Sequence, residues 1–239
     1  MRALICLILI LILPSLYAEP LIVGIRGYNP PFAVKADEKN HFFGFEIDIM
    51  SDICKRIQAT CTYRALKFTE VFAELLSKHI NVAITSISIT DERRKDFLFS
   101  MPYLDSSIRY VSMINSKFKE LDDLKNQRIG CERNTLCKRI TLAHISSNVK
   151  IIEFDTLPEI FKALVDGSVD AVMADDKIAK YWVAASNNVF RLVGQNIPIG
   201  YGYGIVANKD NEALIKRINK ALQDMGNDGT YQIIYSHYF

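Results

Sequence analysis

Apolar and polar positions follow two different periods along the chain, and their order sketches the fold. Leu21-Ile22-Val23-Gly24-Ile25-Arg26 is a short apolar run stopped by Gly27 and by Pro30-Pro31, which cannot extend a strand ladder. It predicts a buried strand that opens into a loop. After Phe42-Phe43-Gly44-Phe45, the residues Ile47, Met50, Ile53, Cys54 and Ile57 recur at steps of three and four, with Asp48, Asp52, Lys55 and Arg56 on the other side. That is an amphipathic helix. Cys61-Thr62-Tyr63-Arg64-Ala65 predicts the next strand, and Thr69 caps a predicted helix turning Val71, Phe72, Leu75 and Leu76 inward. Val82-Ala83-Ile84 follows as a third strand. Strand, helix, strand, helix, strand is the order of a parallel sheet with covering helices.

Beyond Pro102 the pattern restarts. Ile108 to Met113 and Arg128 to Cys131 read as strands, with a short helix at Leu121-Asp122-Asp123-Leu124 between them. A helix is predicted from about Thr135, a strand over Lys150 to Phe154, and a helix capped by Thr156 with Ile160, Phe161, Leu164 and Val165 inward and Gly167 as its stop. Val169 to Ala174 predicts a strand ending at Asp175-Asp176, backed by a helix through Trp182. The strand Gly204 to Ala207 and helices near 211–225 and 229–237 complete the chain. The fold class is therefore α/β, with two similar units.

Composition adds an address. Met1 to Ala18 carries Arg2, a nearly continuous apolar run from Leu4 to Leu13 and the processing-site pattern Pro14-Ser15-Leu16-Tyr17-Ala18, so it reads as a secretory signal peptide. Without it, Cys54, Cys61, Cys131 and Cys137 remain, an even set that favours disulfides after export. Short spacing favours Cys54 with Cys61 and Cys131 with Cys137. The net charge is +2, or +1 once Arg2 is removed, which points to neither nucleic acid nor an anionic membrane. With 49% hydrophobic residues, the chain can fill two modest cores.

Candidate chemistry collects at strand ends, where ligands sit in open α/β sheets. Thr85-Ser86-Ile87-Ser88-Ile89-Thr90-Asp91-Glu92-Arg93 runs from a strand through a hydroxyl-rich turn to a capped helix start, a cup of donors suited to a carboxylate. Arg93 can hold both carboxylate oxygens in a planar fork. Arg26 and Asp175 end strands in other parts of the pattern. His41, His79, His144 and His237 have no metal-ligand spacing, Ser86 and Ser88 have no His partner for a hydrolase, and Gly200 to Gly204 lacks a phosphate-loop context and reads as flexible chain near a hinge.

Several segments together resemble the periplasmic solute-binding proteins for polar amino acids, which serve ABC importers. Pro30-Pro31-Phe32 with Gly44-Phe45-Glu46-Ile47-Asp48 is similar to the opening signature of that family. Ser86 to Lys95 with Phe99-Ser100-Met101-Pro102-Tyr103, Asp166 to Ala171 with Asp175, and Asp228-Gly229-Thr230-Tyr231 are similar to its later ones. Cys54 and Cys61 resemble the disulfide of arginine, lysine and histidine binders. The resemblance implies a two-lobed fold with a ligand cleft, residues 19–107 and 199–239 forming one lobe and 108–198 the other. The hinge would lie at the crossings near Asp105 to Tyr110 and Asn196 to Tyr201. It also implies a monomer, no cofactor, a small amino-acid ligand and the membrane subunits of an ABC importer as partner.

The implied roles fall on named residues. Arg93 would take the ligand α-carboxylate with Ser88 and the loop Asn134-Thr135, and Asp175 the α-ammonium with Thr85 or Ser86. Phe68 would cover the ligand side chain, with Tyr28 or Asn29 as a further wall. Arg26 departs from the pattern, because basic-ligand members carry an acid there; a cation favours an acidic or amide side chain. Alternatively, Arg26 turns away to pair with Asp37 or Glu46 and leaves specificity open. Other readings are a dehydratase of the same fold, of the cyclohexadienyl dehydratase type with Glu132 or Asp176 as proton donor, a ligand sensor, and a structural or adhesive protein.

Overall fold

The computed structural model describes residues 19–37, 41–145 and 148–239, so the expected signal peptide lies outside the described residues. The first lobe opens with β1 (Glu19–Arg26), a small antiparallel sheet of β2 (Tyr28–Asn29), β3 (Ala33–Lys35) and β4 (Phe42–Phe43), and helix α1 (Phe45–Arg56). It continues through β5 (Ala59–Leu66), α2 (Phe68–Leu76), β6 (Val82–Ala83), α3 (Asp91–Asp96) and β7 (Phe97–Phe99). The second lobe holds β8 (Ser107–Met113), β9 (Arg128–Glu132), α4 (Cys137–His144), β10 (Lys150–Phe154), α5 (Leu157–Val165), β11 (Ala171–Asp175), α6 (Asp176–Ala185) and β12 (Phe190–Pro198). The chain then returns to the first sheet with β13 (Val206–Asn208) and ends in α7 (Glu212–Asn227) and α8 (Thr230–Tyr238).

The first sheet has the order β5-β1-β6-β13-β7 and the second β10-β9-β11-β8-β12. Each is parallel on one side only, since β13 runs against β6 and β7, and β8 against β11 and β12. The chain enters the second sheet at Ser107 and leaves it at Pro198, and these two residues are register partners. Just beyond, the Ile199 amide donates to the Ser106 carbonyl at 2.9 Å and Tyr203 exchanges backbone bonds with Leu104 and Tyr103 at 2.7 and 2.9 Å. The two crossings thus form one narrow ribbon. Fully buried Val23, Ile25, Ile49, Met50 and Ile53 join β1 to α1, and Phe161, Leu164, Val172 and Ile178 fill the second lobe between helices and sheet.

The structure departs from the sequence pattern at several element ends. Helix α2 begins at Phe68, with Lys67 as cap, because the Glu70 carboxylate accepts from the Lys67 amide at 2.9 Å and draws the start one residue earlier than Thr69. Leu76 and Val165 are exposed: each directly follows an inward leucine, and one residue turns a helix by about 100°. Strand β11 begins at Ala171 because the Asp170 carboxylate is engaged by the backbone and guanidinium of Arg128 at 2.7–2.9 Å. The long edge strand β12 gave no clear sequence signal, since Gly194 interrupts it at a bulge with φ +63°.

The Gly200 to Gly204 segment is not loose chain. Ile89 accepts from the Tyr201 amide and donates to the Gly202 carbonyl, while the Gly204 amide donates to Ile87, all within 3.0 Å. Gly200 has φ +56°, and a Cβ there would stand 2.1 Å from the Ile89 carbonyl oxygen. The glycines permit a close backbone approach at the crossing.

Candidate functional site

A cavity of about 50 Å³ lies between the lobes, lined by Arg26, Phe68, Thr85, Ser86, Ser88 and Arg93 from one side and by Glu132, Thr135, Leu136, Leu157 and Asp175 from the other. Such a volume holds a few waters, so a larger guest requires the walls to move apart. It adjoins a wider, open groove that shares Arg26, Phe68, Glu132 and Leu157 and continues to Tyr28, Glu70 and Thr156.

Arg93 forms one pole. Thr90 caps α3 by accepting from the Arg93 amide at 3.3 Å, which fixes the first helical turn. The guanidinium donates to the Ser88 carbonyl at 3.0 Å and lies 5.7 and 5.4 Å from the ring centres of Phe68 and Phe72. Burial pushes its pKa down to about 10, against the raising effect of Asp175, so it remains a cation at neutral pH. Arg93 lines the cavity, and the Thr85 hydroxyl, which also lines it, is buried with no hydrogen-bond partner among the described residues.

Asp175 forms the opposite pole at the end of β11. Its carboxylate accepts from the Tyr203 hydroxyl at 2.7 Å. Burial raises its pKa, while the Tyr203 bond, Arg26, Ser86 and Arg93 act in the other direction. Asp176, the next residue, turns away to Arg109 at 3.6 Å and Lys180 at 2.6 Å and does not line the cavity.

A second charge pair spans the cleft. Arg26, at the end of β1, donates to the Glu132 carboxylate, at the end of β9, with side-chain exposures of 7% and 9%. Its other terminal nitrogen donates to Asn29 at 3.0 Å, and its guanidinium carbon lies 4.9 Å from the Phe68 ring centre. Asn29 in turn donates to the Ser86 hydroxyl at 3.2 Å. The acid that Arg26 meets is therefore in the opposite lobe, rather than Asp37 or Glu46. Arg26 is thus already paired within the cleft, rather than standing there as a free cation.

Behind the cavity, Glu46 is fully buried and accepts from the Ser86 amide at 2.5 Å and the Tyr103 hydroxyl at 2.6 Å. These bonds hold Ser86 at φ +49°. The second Glu46 oxygen has no hydrogen-bond partner among the described residues. Desolvation pushes this carboxyl up to about 7, opposed by Tyr103, Ser86 and Arg26 and reinforced by Asp175.

The loop that carries Glu132 is tied at both ends. The Cys131–Cys137 disulfide encloses Glu132 to Leu136, and the Thr135 hydroxyl donates to the Glu132 carbonyl at 2.7 Å and accepts from the Cys137 amide at 3.2 Å. This starts α4 at Cys137 rather than at Thr135. The other disulfide, Cys54–Cys61, joins α1 to β5. At the rim, Glu92 and Arg139 bridge the lobes at 2.9 Å, and Lys67 and Asp155 at 3.9 Å.

Most of the sequence-predicted residues meet at this cavity. The exceptions are Asn29, which lies behind Arg26; Tyr28, which lines the outer groove edge-on to Trp182; and Asn134, which faces a rim groove with Phe72 and Arg139. The sequence suggests Glu132 only as a proton donor; in the structure it lines the cleft, paired with Arg26. Its place at the end of a strand beside a cysteine was the available signal.

The family model for bacterial extracellular solute-binding proteins, family 3, matches residues 21–239. The chain belongs to this family. An arginine third transport system periplasmic binding protein from Legionella pneumophila has a similar structure, with a TM-score of 0.89 and 38% identity, over 93% of this chain and 100% of that one. An ancestral arginine-binding protein bound to arginine superposes with a TM-score of 0.84 at 34% identity, over 92% and 98% of the two chains. In sequence, ABC transporter arginine-binding protein 1 of Escherichia coli is 30% identical over 93% of this chain and 91% of its own length. These relatives are named as binding proteins, and no described helix is long and apolar enough to cross a membrane.

Proposed function

We propose that the protein captures a cationic L-amino acid, arginine foremost, by closing its lobes about the two crossings, and presents it to an ABC importer in the periplasm. The carrying observation is the charge of the cleft. Glu132 and Asp175 line it and Glu46 lies behind it, three carboxyl groups against the two guanidiniums of Arg26 and Arg93. Glu132 and Asp175 balance the two guanidiniums, and Glu46, its carboxyl pushed up to about 7, is partly ionised at neutral pH; a ligand carrying one net positive charge favours its ionised form and completes the balance. Arg93 would hold the α-carboxylate and Asp175 the α-ammonium, with the unpartnered Thr85 hydroxyl supplying a further contact. The long side chain would then run along Phe68 toward the outer groove. The arginine ligands named for the similar proteins support the same class.

Titration calorimetry with the twenty amino acids tests this reading. Arginine or lysine is expected to bind most tightly, with glutamine weaker and glutamate weakest. Preferential binding of glutamate, or no heat with any of them, would overturn it.

A further inference from the structure

We infer that Glu132 receives the cationic end of the ligand side chain, and that Arg26 is an internal stand-in for that cation which the ligand displaces toward Glu46. This deepens the cationic-ligand reading and rests on it. The geometry around Arg26 is what a bound guanidinium requires: a carboxylate from Glu132, an amide oxygen from Asn29 at 3.0 Å and an aromatic face from Phe68 at 4.9 Å. The protein thus carries a guanidinium site and fills it with its own side chain.

The position of the pair fits that role. The enclosed cavity holding Arg93 and Asp175 meets the open groove at Arg26, Phe68, Glu132 and Leu157. The cavity also meets a rim groove at Arg93, Thr135 and Leu136, beside the residue that would take the α-carboxylate, so a side chain leading away from that end passes Arg26 and Glu132. Its terminal cation then arrives where Arg26 now stands, and only one of the two can keep the contact.

Arg26 also has a second seat. Glu46 belongs to the same lobe, interacts electrostatically with Arg26, is fully buried and has an oxygen without a hydrogen-bond partner. A buried, half-satisfied carboxyl is costly, and a guanidinium turned toward it satisfies it. Exchange therefore leaves both carboxyl groups paired: Glu132 with the ligand across the cleft, Glu46 with Arg26 inside its own lobe. Before exchange, one protein cation serves where two are needed.

The consequence is an asymmetry that a merely structural ion pair would not produce. In Arg26→Met the aliphatic stem still covers Phe68 but the competitor charge is gone, so arginine should bind at least about 10-fold more tightly. In Glu132→Gln the receptor charge is lost, so arginine should bind at least about 10-fold more weakly, with a smaller change for citrulline, its neutral isostere. Calorimetry on both variants and on Arg26→Gln, which keeps an amide for Asn29, reads these shifts. If Arg26→Met and Arg26→Gln bind arginine no more tightly than the parent, or Glu132→Gln binds it equally well, the exchange is overturned while the cationic-ligand reading stands. If the parent binds no cationic amino acid, that reading falls and takes the exchange with it.

Discussion

The Tyr203 hydroxyl donates a 2.7 Å hydrogen bond to the Asp175 carboxylate, joining the ribbon of the crossings to the acid at the end of β11. The bond holds the carboxylate toward the cavity and offsets part of its desolvation. Asp175→Asn removes the anion and leaves a ligand ammonium unpaired, which should weaken amino-acid binding by about 2–4 kcal/mol, roughly 30- to 1,000-fold. Tyr203→Phe keeps the charge and should cost about 1 kcal/mol. Calorimetric titration orders the two; a reversed order would mean that Tyr203, not Asp175, carries the contact.

Arg93 makes a parallel case at the other pole. Its guanidinium is held by Ser88 and lies over Phe68 and Phe72, so Arg93→Lys keeps a cation but loses the fork and the flat contact with the rings. The expected affinity order is parent, then Arg93→Lys, then Arg93→Ala, with the last at least about 30-fold weaker. An Arg93→Ala protein that binds as well as the parent would reduce the Thr85 to Arg93 stretch to a helix cap.

Glu46 gives stability a pH dependence of known sign. Its carboxyl titrates at about 7 in the folded chain, above its ordinary value of 4.5, so between these limits the folded state keeps a proton that the unfolded chain releases. Its contribution is fully present below about pH 4.5 and is lost as pH rises through 7, on the order of 3 kcal/mol. Glu46→Gln imitates the neutral form and should flatten this part of the curve. Denaturant unfolding of parent and variant at pH 4.5, 6 and 7.5 isolates it as a difference; parallel curves would show that Glu46 is already ionised at pH 4.5.

The two disulfides should separate stability from affinity. Replacing Cys131 and Cys137 by Ala frees the loop that carries Glu132 and Thr135, whereas Cys54 and Cys61 tie α1 to β5 and do not line the cavity. Each double variant should lose about 2 kcal/mol of stability. Only the Cys131/Cys137 variant should also bind ligand more weakly, by about 5-fold or more for a loop that must be ordered on binding. Equal affinities for both variants would show that the Thr135 hydrogen bonds hold the loop without the bridge.

Much of this arrangement was legible in the sequence, and the gaps have physical causes. Arg93 could be read because its cap, hydroxyls and charge are local, all within a few residues of Thr90. Asp175 could be read because an apolar strand ends on it. Arg26 was visible as a cation at a strand end, but its partner Glu132 is 106 residues away, and no local pattern encodes a contact between lobes. Glu46 is legible as part of a signature and as a possible partner for Arg26, but its burial is not, since that depends on the bonds from Ser86 and Tyr103, which the fold brings together. Strand β12 is not legible because a glycine bulge breaks its alternation.

The pairing of Ser107 with Pro198 places both chain crossings side by side, with Ile199 bonded to Ser106 beyond them. Two connections set far apart would let the lobes twist or slide independently. Two connections in one ribbon leave essentially a single bending coordinate. On the proposed function, ligand contacts at Arg93, Asp175 and Glu132 would form or break together along that coordinate, so a ligand satisfying only one of them would gain little from the others' proximity. Selectivity would then be cooperative by mechanical design, in that a misplaced side chain at one wall would hold open every wall.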